Sequence, residues 1–293
     1  MNVFDEARSG WAELSAGRFH YLAYGDPDGP LPAALLLHAN AGSARDWGRI
    51  AAALAGGSRV YALDLRGHGA SPRPAPGGYA PSAAARDVLE FLDALGLDDV
   101  VLVGHSWGAA VALAAVVDVS GRARRISGLA LLDPPAELST GRLGTRLDTL
   151  QRLIAMPPER LRAAVTAACP DWHPEDVDAF TESLGAADPE VVAAVVADGA
   201  AAGSLLPLLA EVPGPLLLLR ADPDLGGLLE DADWSTVNTF APPGSTLFDL
   251  PGVPHEIYRS APATLLAAFA AYRAAPSCGA GLSIGRSTCP QER

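Results

Sequence analysis

Residues 100–110 read Val-Val-Leu-Val-Gly-His-Ser-Trp-Gly-Ala-Ala. The apolar run up to Val103 is typical of a buried strand, and the Ala-rich segment that continues to Val117 favours a helix. Between them, Gly104-His105-Ser106-Trp107-Gly108 fits the pattern G-x-S-x-G, in which the Ser lies on a sharp strand-to-helix turn. Glycine at both ends lets strand and helix approach closely. The stretch predicts a Ser106 hydroxyl presented above a strand end, although a Ser that only caps the helix fits the same turn.

Composition limits the possible functions. The chain has 293 residues, 49% of them hydrophobic, which is enough for one large domain or a domain with an insertion. Its net charge of −13 gives no electrostatic reason to bind nucleic acid or an anionic membrane surface. The N-terminus lacks a signal-peptide pattern, and no apolar run is long enough for a membrane span, so we expect a soluble, cytoplasmic protein.

The three cysteines, Cys169, Cys278 and Cys289, have neither metal-ligand spacing nor the density of a disulfide scaffold. We therefore expect neither a metal site nor a cofactor.

Short apolar runs alternate with helical patterns along the chain. Besides residues 100–104, strands are predicted at residues 19–25, 33–37, 59–65, 126–132, 215–220 and 246–250. The first of these precedes a dense turn cluster and is expected to be antiparallel. The alternation predicts an α/β fold with a mostly parallel central sheet and helices on both faces.

From Gly141 to Leu209 the pattern is helical and broken by prolines, with no strand-like run. We therefore expect residues 1–135 and 210–275 to form the core and residues 136–209 a helical lid. The tail, residues 276–293, is rich in Gly, Ser and Cys without periodicity and is predicted to be disordered.

Polar residues recur just past the predicted strand ends. Because parallel strands end at one edge of a sheet, where ligands bind in open α/β folds, these residues are expected to converge. They lie in the segments His38-Ala39-Asn40-Ala41-Gly42, Asp64-Leu65-Arg66-Gly67-His68-Gly69, Asp133-Pro134-Pro135, Asp222-Pro223-Asp224 and Val253-Pro254-His255, beside the turn at Ser106.

With these segments in this order, the chain resembles the α/β-hydrolase superfamily over roughly residues 12–274. The resemblance implies that Ser106 is a nucleophile, His255 its general base, and the backbone N–H groups of Asn40 and Trp107 an oxyanion hole. Chemically, a Ser hydroxyl needs a base, and a carboxylate must orient that base. Ala39 stands where relatives usually carry Gly, but the oxyanion donor is a backbone group and is not removed by this change.

Two positions compete for the carboxylate. Most relatives place it after the strand that follows the lid, which gives Asp224, with Asp222 beside it. A minority place it after the strand that follows the Ser-bearing turn and helix, which gives Asp133. The stiff Pro134-Pro135 segment suits a group that must hold an imidazole, and the turn at Asp224 could be purely structural, so Asp133 is slightly favoured.

The remaining polar residues are expected to be structural. His38, His68 and His105 would pack beneath the site, Asp64 would hold a loop backbone, and His20 and His173 would lie on the surface.

One further likeness concerns the pocket. Haloalkane dehalogenases also carry Trp after the nucleophile and Asn in the oxyanion loop, but their nucleophile is Asp. Ser106 therefore argues against alkyl-halide or epoxide chemistry.

The leading expectation is a hydrolase of an ester, lactone or related acyl bond in a small organic molecule. A C–C bond hydrolase, a perhydrolase and an acyl-transfer enzyme of secondary metabolism fit the same residues. A non-catalytic binding module is a weaker alternative, because it would not need Ser106, His255 and the strand-end carboxylates together. The oligomeric state is not readable from the sequence.

Overall fold

The computed structural model describes residues 7–26, 29–138 and 142–274. Eight strands form one sheet in the order β1-β2-β4-β3-β5-β6-β7-β8. Their bounds are Arg8–Leu14 (β1), Gly17–Tyr24 (β2), Leu31–Leu37 (β3), Ser58–Leu63 (β4), Val100–His105 (β5), Ile126–Leu132 (β6), Leu217–Ala221 (β7) and Thr246–Leu250 (β8). β1, β2 and β4 pair antiparallel, and every pair from β4 through β3 to β8 is parallel. The predicted fold class is confirmed.

Helices cover both faces of this sheet. The helices are Gly48–Leu54 (α1), Pro81–Ala94 (α2), Trp107–Val116 (α3), Arg142–Ile154 (α4), Pro158–Ala168 (α5), Pro174–Ala186 (α6), Pro189–Ala200 (α7), Asp231–Phe240 (α8), Ile257–Ser260 (α9) and Pro262–Ala274 (α10). α2 and α3 share one apolar cluster with the sheet, and α1 and α10 share another. Because both faces are covered, all six residues of β5 are buried, which explains its uninterrupted apolar sequence.

Strand β1 is a feature that sequence analysis missed. It is an edge strand that pairs only with β2 within the described residues, and Ala12 is its one buried side chain. With water on both sides of most of the strand, its sequence shows no apolar alternation, and the pattern therefore gave no signal.

The helices α4–α7 all lie between β6 and β7, where a helical insertion was predicted. Side chains of α4, α5 and α6, which include Leu150, Leu161 and Leu184, form an apolar cluster together with Ala41 and Val192. The division into a core and a lid at residues 136–209 remains a prediction. The predicted disordered tail, residues 276–293, lies outside the described residues, as do Cys278 and Cys289. No helix in the described ranges is both long and apolar enough to cross a membrane.

Candidate active site

Ser106 lies at the junction of β5 and α3 in a backbone conformation that non-glycine residues rarely adopt, with φ 55° and ψ −120°. A β-carbon on Gly104 would come within 2.3 Å of the Gly108 carbonyl oxygen, and one on Gly108 within 2.3 Å of the Leu37 oxygen. The two glycines are therefore required by close backbone approach. Strain of this kind persists only where the surrounding structure imposes it, and it is common at functional sites.

Asp133 and His255 meet below this turn. Both are buried, and Asp133 Oδ2 lies 2.6 Å from His255 Nδ1. The carboxylate also accepts hydrogen bonds from the backbone N–H groups of Ala221 and Leu228, at 3.2 and 2.9 Å. These bonds fix the carboxylate, and it in turn fixes the imidazole. His255 Nε2 is buried and has no hydrogen-bond partner among the described residues, so it is free to take a proton.

The position of Ser106 relative to this pair follows from the adjoining strand. The Ser106 amide donates to the carbonyl of Leu132, 3.0 Å away, and Asp133 is the next residue. The neighbouring His105 donates from Nε2 to the His255 carbonyl, 2.9 Å away. The first hydrogen bond ties the turn at Ser106 to the residue before Asp133, and the second, from the His105 side chain, ties it to the loop at His255.

The other predicted carboxylate is placed differently. Asp224 is exposed, and its backbone N–H donates to the Asp222 side chain at 2.8 Å. Asp222 also accepts from the Gly252 N–H at 2.7 Å, and these backbone hydrogen bonds lower its pKa. Both aspartates therefore build the turn after β7, and the structure does not bring Asp224 to His255.

Asn40 and Ser106 line the same small cavity, together with Ala39. The Asn40 side chain is held by two hydrogen bonds: Oδ1 accepts from the Ala41 N–H at 3.0 Å, and Nδ2 donates to the Val192 carbonyl of α7 at 2.9 Å. The second of these bonds holds the loop that carries Asn40 against α7. Trp107 is the first residue of α3, where backbone N–H groups have no partner within the helix.

Three histidines are buried around this site and bond to backbone. His38 Nε2 accepts from the Leu65 N–H at 3.0 Å, and His68 Nε2 accepts from the Ala41 N–H at 3.1 Å. Burial lowers the pKa of all three, that of His68 to about 3 and that of His105 well below 6.5. The lowered pKa of each ring favours the neutral imidazole, and a structural role for the three histidines stays a prediction.

His20 was expected on the surface, and it is instead half-buried. Only 16% of its side chain is exposed, and its Nδ1 lies 2.8 Å from Asp64 Oδ2. The cause is the unpredicted strand β1, whose Trp11 ring packs 5.0 Å from the His20 ring. Asp64 holds loop backbone as expected, accepting from the N–H groups of Ala44 and Ala70 at 2.7 and 3.0 Å. His173 is exposed, as expected, at the start of α6.

Two neighbouring cavities lie between the helical insertion and the carboxyl edge of the sheet. The cavity at Ser106 measures about 20 Å³, room for about one water molecule. The second measures about 640 Å³, the size of a small-molecule site, and is lined mainly by α4, α5 and the loop that follows α5. Arg146 and Leu150 line both, so they form the boundary between the two cavities.

Sequence analysis missed two charged residues at this boundary. Arg146 of α4 forms an ion pair with Glu256, the residue after His255. Burial raises the pKa of Glu256, but the positive charge of the Arg146 guanidinium opposes this, and the pKa lies below its usual value. Glu256 could have been suspected from its position beside His255, whereas nothing in the sequence distinguishes Arg146 from other arginines of the insertion.

The insertion is also tied to the core at α6 and α7. Arg49 and Asp176 form an ion pair of 2.6 Å, and Ser43 bonds to Ser183 at 2.8 Å. The Asp198 carboxylate of α7 accepts two backbone N–H groups of the loop before α2, both at 2.8 Å. Among the described polar contacts, α4 reaches the core through Arg146 and Glu256.

Comparison with known proteins agrees with this architecture. A model of the Alpha/beta hydrolase family matches residues 34–269. N-formylmaleamate deformylase of Pseudomonas putida is 31% identical over 232 residues, which cover 77% of this chain and 81% of the deformylase. Haloalkane dehalogenase 2 of Mycobacterium tuberculosis is 37% identical over 123 residues, 42% of this chain, and the match spans only 41% of the dehalogenase.

A solved structure shows the same fold. E-2-(acetamidomethylene)succinate hydrolase superposes with a TM-score of 0.73 at 19% identity, covering 92% of this chain and all of the hydrolase. The family model spans most of the chain, and the deformylase match extends over more than three quarters of it. The chain therefore belongs to the Alpha/beta hydrolase family.

Proposed function

We propose that this protein is a serine hydrolase that cleaves an ester, lactone or related acyl bond of a small organic molecule. Ser106 is the nucleophile, His255 the general base and Asp133 the carboxylate that orients it. The observation that carries the proposal is the buried contact of 2.6 Å between Asp133 and His255, with His255 Nε2 unpartnered among the described residues and the strained Ser106 turn linked to both.

The reaction follows from these positions. His255 Nε2 takes the Ser106 hydroxyl proton as the oxygen attacks the substrate carbonyl, and the backbone N–H groups of Asn40 and Trp107 stabilise the resulting oxyanion. The tetrahedral intermediate collapses when His255 protonates the leaving oxygen or nitrogen, which leaves an acyl group on Ser106. Water, deprotonated by His255, then releases the acid and restores the hydroxyl. Asp133 holds the Nδ1 proton throughout and stabilises the imidazolium.

The helical insertion, residues 136–209, acts in this proposal as a lid that carries substrate specificity. Support comes from the cavity at Ser106, whose volume of about 20 Å³ is too small for an organic substrate. The side chains of Leu143, Arg146, Leu147 and Leu150 of α4 line that cavity, so movement of α4 would enlarge it. Substrate entry therefore requires displacement of this helix or its side chains.

A serine nucleophile favours an acyl bond over a carbon–halogen bond. The name of the deformylase describes removal of a formyl group, which is an acyl transfer to water. A Ser that displaced halide would form an ether, and water cannot cleave an ether by attack at a carbonyl. Dehalogenation is therefore not proposed, despite the similarity to haloalkane dehalogenase 2.

The test is covalent labelling with a fluorophosphonate, combined with hydrolysis of p-nitrophenyl esters of graded chain length and a few lactones. We expect one label per chain, located on Ser106 by peptide mass spectrometry, and none on Ser106→Ala. Hydrolysis without added nucleophile, giving the free acid, separates this function from acyl transfer. A wild-type protein that neither reacts with the probe nor hydrolyses any ester would contradict the proposal.

A further inference from the structure

The charges at the boundary between the two cavities cancel each other. Among the described residues lining the large cavity, Arg146 and Glu256 are the only two that carry a charge, and they form an ion pair. Among those lining the Ser106 cavity, Arg146 alone is charged. The cation nearest to Ser106 in this lining therefore already has its counter-ion.

Both partners are largely removed from water, with side chains 23% and 15% exposed. The surrounding wall consists mainly of apolar side chains, which include Leu150, Leu153, Val165, Trp172 and Phe180. Charges interact strongly in such surroundings, and an unpaired one is costly. The ion pair is therefore stable where a single charge would not be.

A substrate carboxylate would encounter this pair at close range. It would gain attraction to Arg146, but it would also lose its water shell and be repelled by the ionised Glu256. An uncharged acyl group with an apolar chain has neither cost and gains by leaving water. The boundary thus discriminates by charge.

We propose that Glu256 is a specificity-determining residue: by neutralising Arg146, it makes the site select uncharged acyl compounds with an apolar body and reject those that carry a carboxylate. The inference rests on the proposed function. The large cavity receives the apolar body of the substrate, and Arg146 and Glu256 both line that cavity.

The test uses two substrates of equal carbon number, p-nitrophenyl hexanoate and mono-p-nitrophenyl adipate, which differ by a terminal methyl against a carboxylate. Wild-type protein should favour the hexanoate in kcat/KM by about tenfold or more. Glu256→Gln keeps the shape and exposes the charge of Arg146, so relative kcat/KM for the adipate should rise by about tenfold or more. The double variant Arg146→Gln with Glu256→Gln should lose that gain.

Matched controls make the result specific. Glu159→Gln removes one negative charge from an exposed position on α5 and should leave the hexanoate-to-adipate ratio unchanged. Arg146→Gln alone leaves Glu256 unpaired and should increase the rejection of the adipate, which provides a second readout if Glu256→Gln does not fold. Wild-type preference for the adipate, or an unchanged ratio in folded Glu256→Gln, would overturn the proposal.

A binding measurement separates this proposal from the proposed function. Hexanamide and adipamate, the corresponding unreactive amides, can be titrated calorimetrically into Ser106→Ala and into Ser106→Ala with Glu256→Gln. Ser106→Ala should bind hexanamide more tightly than adipamate. Adding Glu256→Gln to this variant should increase its affinity for adipamate. Failure of the hydrolase function would appear as absent Ser106 labelling, whereas equal binding of both amides by both proteins would refute the role of Glu256.

Discussion

Asp133 and His255 are 122 positions apart in the chain, yet their side chains meet at 2.6 Å in the interior. Asp133 follows β6 with a φ of 40°, and its amide donates to the Leu219 carbonyl of β7. His255 lies in the loop after β8. The segments that follow β6 and β8 therefore meet at the carboxyl edge of the sheet. The carboxylate that contacts the His255 ring belongs to the residue directly after β6.

Substitution of the two candidate acids should give opposite results. Asp133→Asn keeps the volume but can stabilise the wrong imidazole tautomer, so turnover should fall by up to ~10⁴-fold. Asp224→Asn changes an exposed turn residue and should stay within about tenfold of wild type. Steady-state kinetics with a p-nitrophenyl ester measures both. A collapse of turnover in Asp224→Asn, with Asp133→Asn near wild type, would reverse the assignment.

His255 and His105 should differ in what they contribute. His255→Ala removes the base and should abolish turnover. His105→Ala removes the hydrogen bond to the His255 carbonyl and leaves a buried cavity, so the midpoint of thermal unfolding should fall along with activity. Differential scanning fluorimetry and ester hydrolysis distinguish the two roles. If His255→Ala stayed active and His105→Ala were stable but inactive, the assignment of His255 as the general base would be wrong.

The turn at Ser106 should tolerate no side chain at Gly108. Gly108→Ala places a β-carbon against the Leu37 backbone, which cannot move aside as a flexible side chain could, so the free energy of unfolding should fall by about 3 kcal/mol or more. Gly185→Ala in α6 is the matched control, because a β-carbon there meets nothing within 4 Å. It should be neutral or stabilising by up to about 1 kcal/mol. Urea unfolding measures both, and equal stability would contradict the packing argument.

Buried histidines should make the protein less stable in mild acid. In the folded protein, His68 stays neutral until the pH falls to its pKa of about 3. In the unfolded chain, its pKa is near 6.5, so it becomes protonated at a higher pH. The unfolded state therefore binds more protons between these values, and the free energy of unfolding falls as pH decreases. The expected loss for this one residue is roughly 1 kcal/mol per pH unit.

The measurement is urea unfolding at several pH values between 7.5 and 4.5. His68→Gln should flatten the dependence by that amount, while His173→Gln, a change at an exposed histidine, should leave it unchanged. A His68→Gln protein with the wild-type slope would show that His68 is not the group responsible.

Substitutions in the helical insertion should change substrate choice more than Ser106 reactivity. Leu150 lines both cavities, so Leu150→Ala should shift the preferred acyl chain towards longer esters, with about fivefold or greater changes in relative kcat/KM. The rate of Ser106 labelling by a small fluorophosphonate should change less. Met156→Ala, outside both cavities and exposed, is the control. A large loss of labelling with unchanged chain preference would argue against the lid.

Local pattern was sufficient for most of the architecture. Residues 100–110 predicted β5, its sharp turn and α3, and six other strands were found, with ends within a few residues of the observed ones. These features follow from apolar periodicity, glycine positions and turn residues, which act over a few neighbouring positions. For the same reason, the strand-end location of Ser106, Asp133 and His255 could be anticipated without a structure.

Other features required the folded chain. Contacts between segments far apart in sequence decide which aspartate meets His255, why His20 is half-buried, and that Arg146 pairs with Glu256. The strand β1 was invisible because an edge exposed to water needs no apolar alternation. The sequence alone determined which segments end at the reactive edge of the sheet, because that information is local. Only the tertiary structure decided which side chains touch there, because a contact depends on the packing of every element between its two residues.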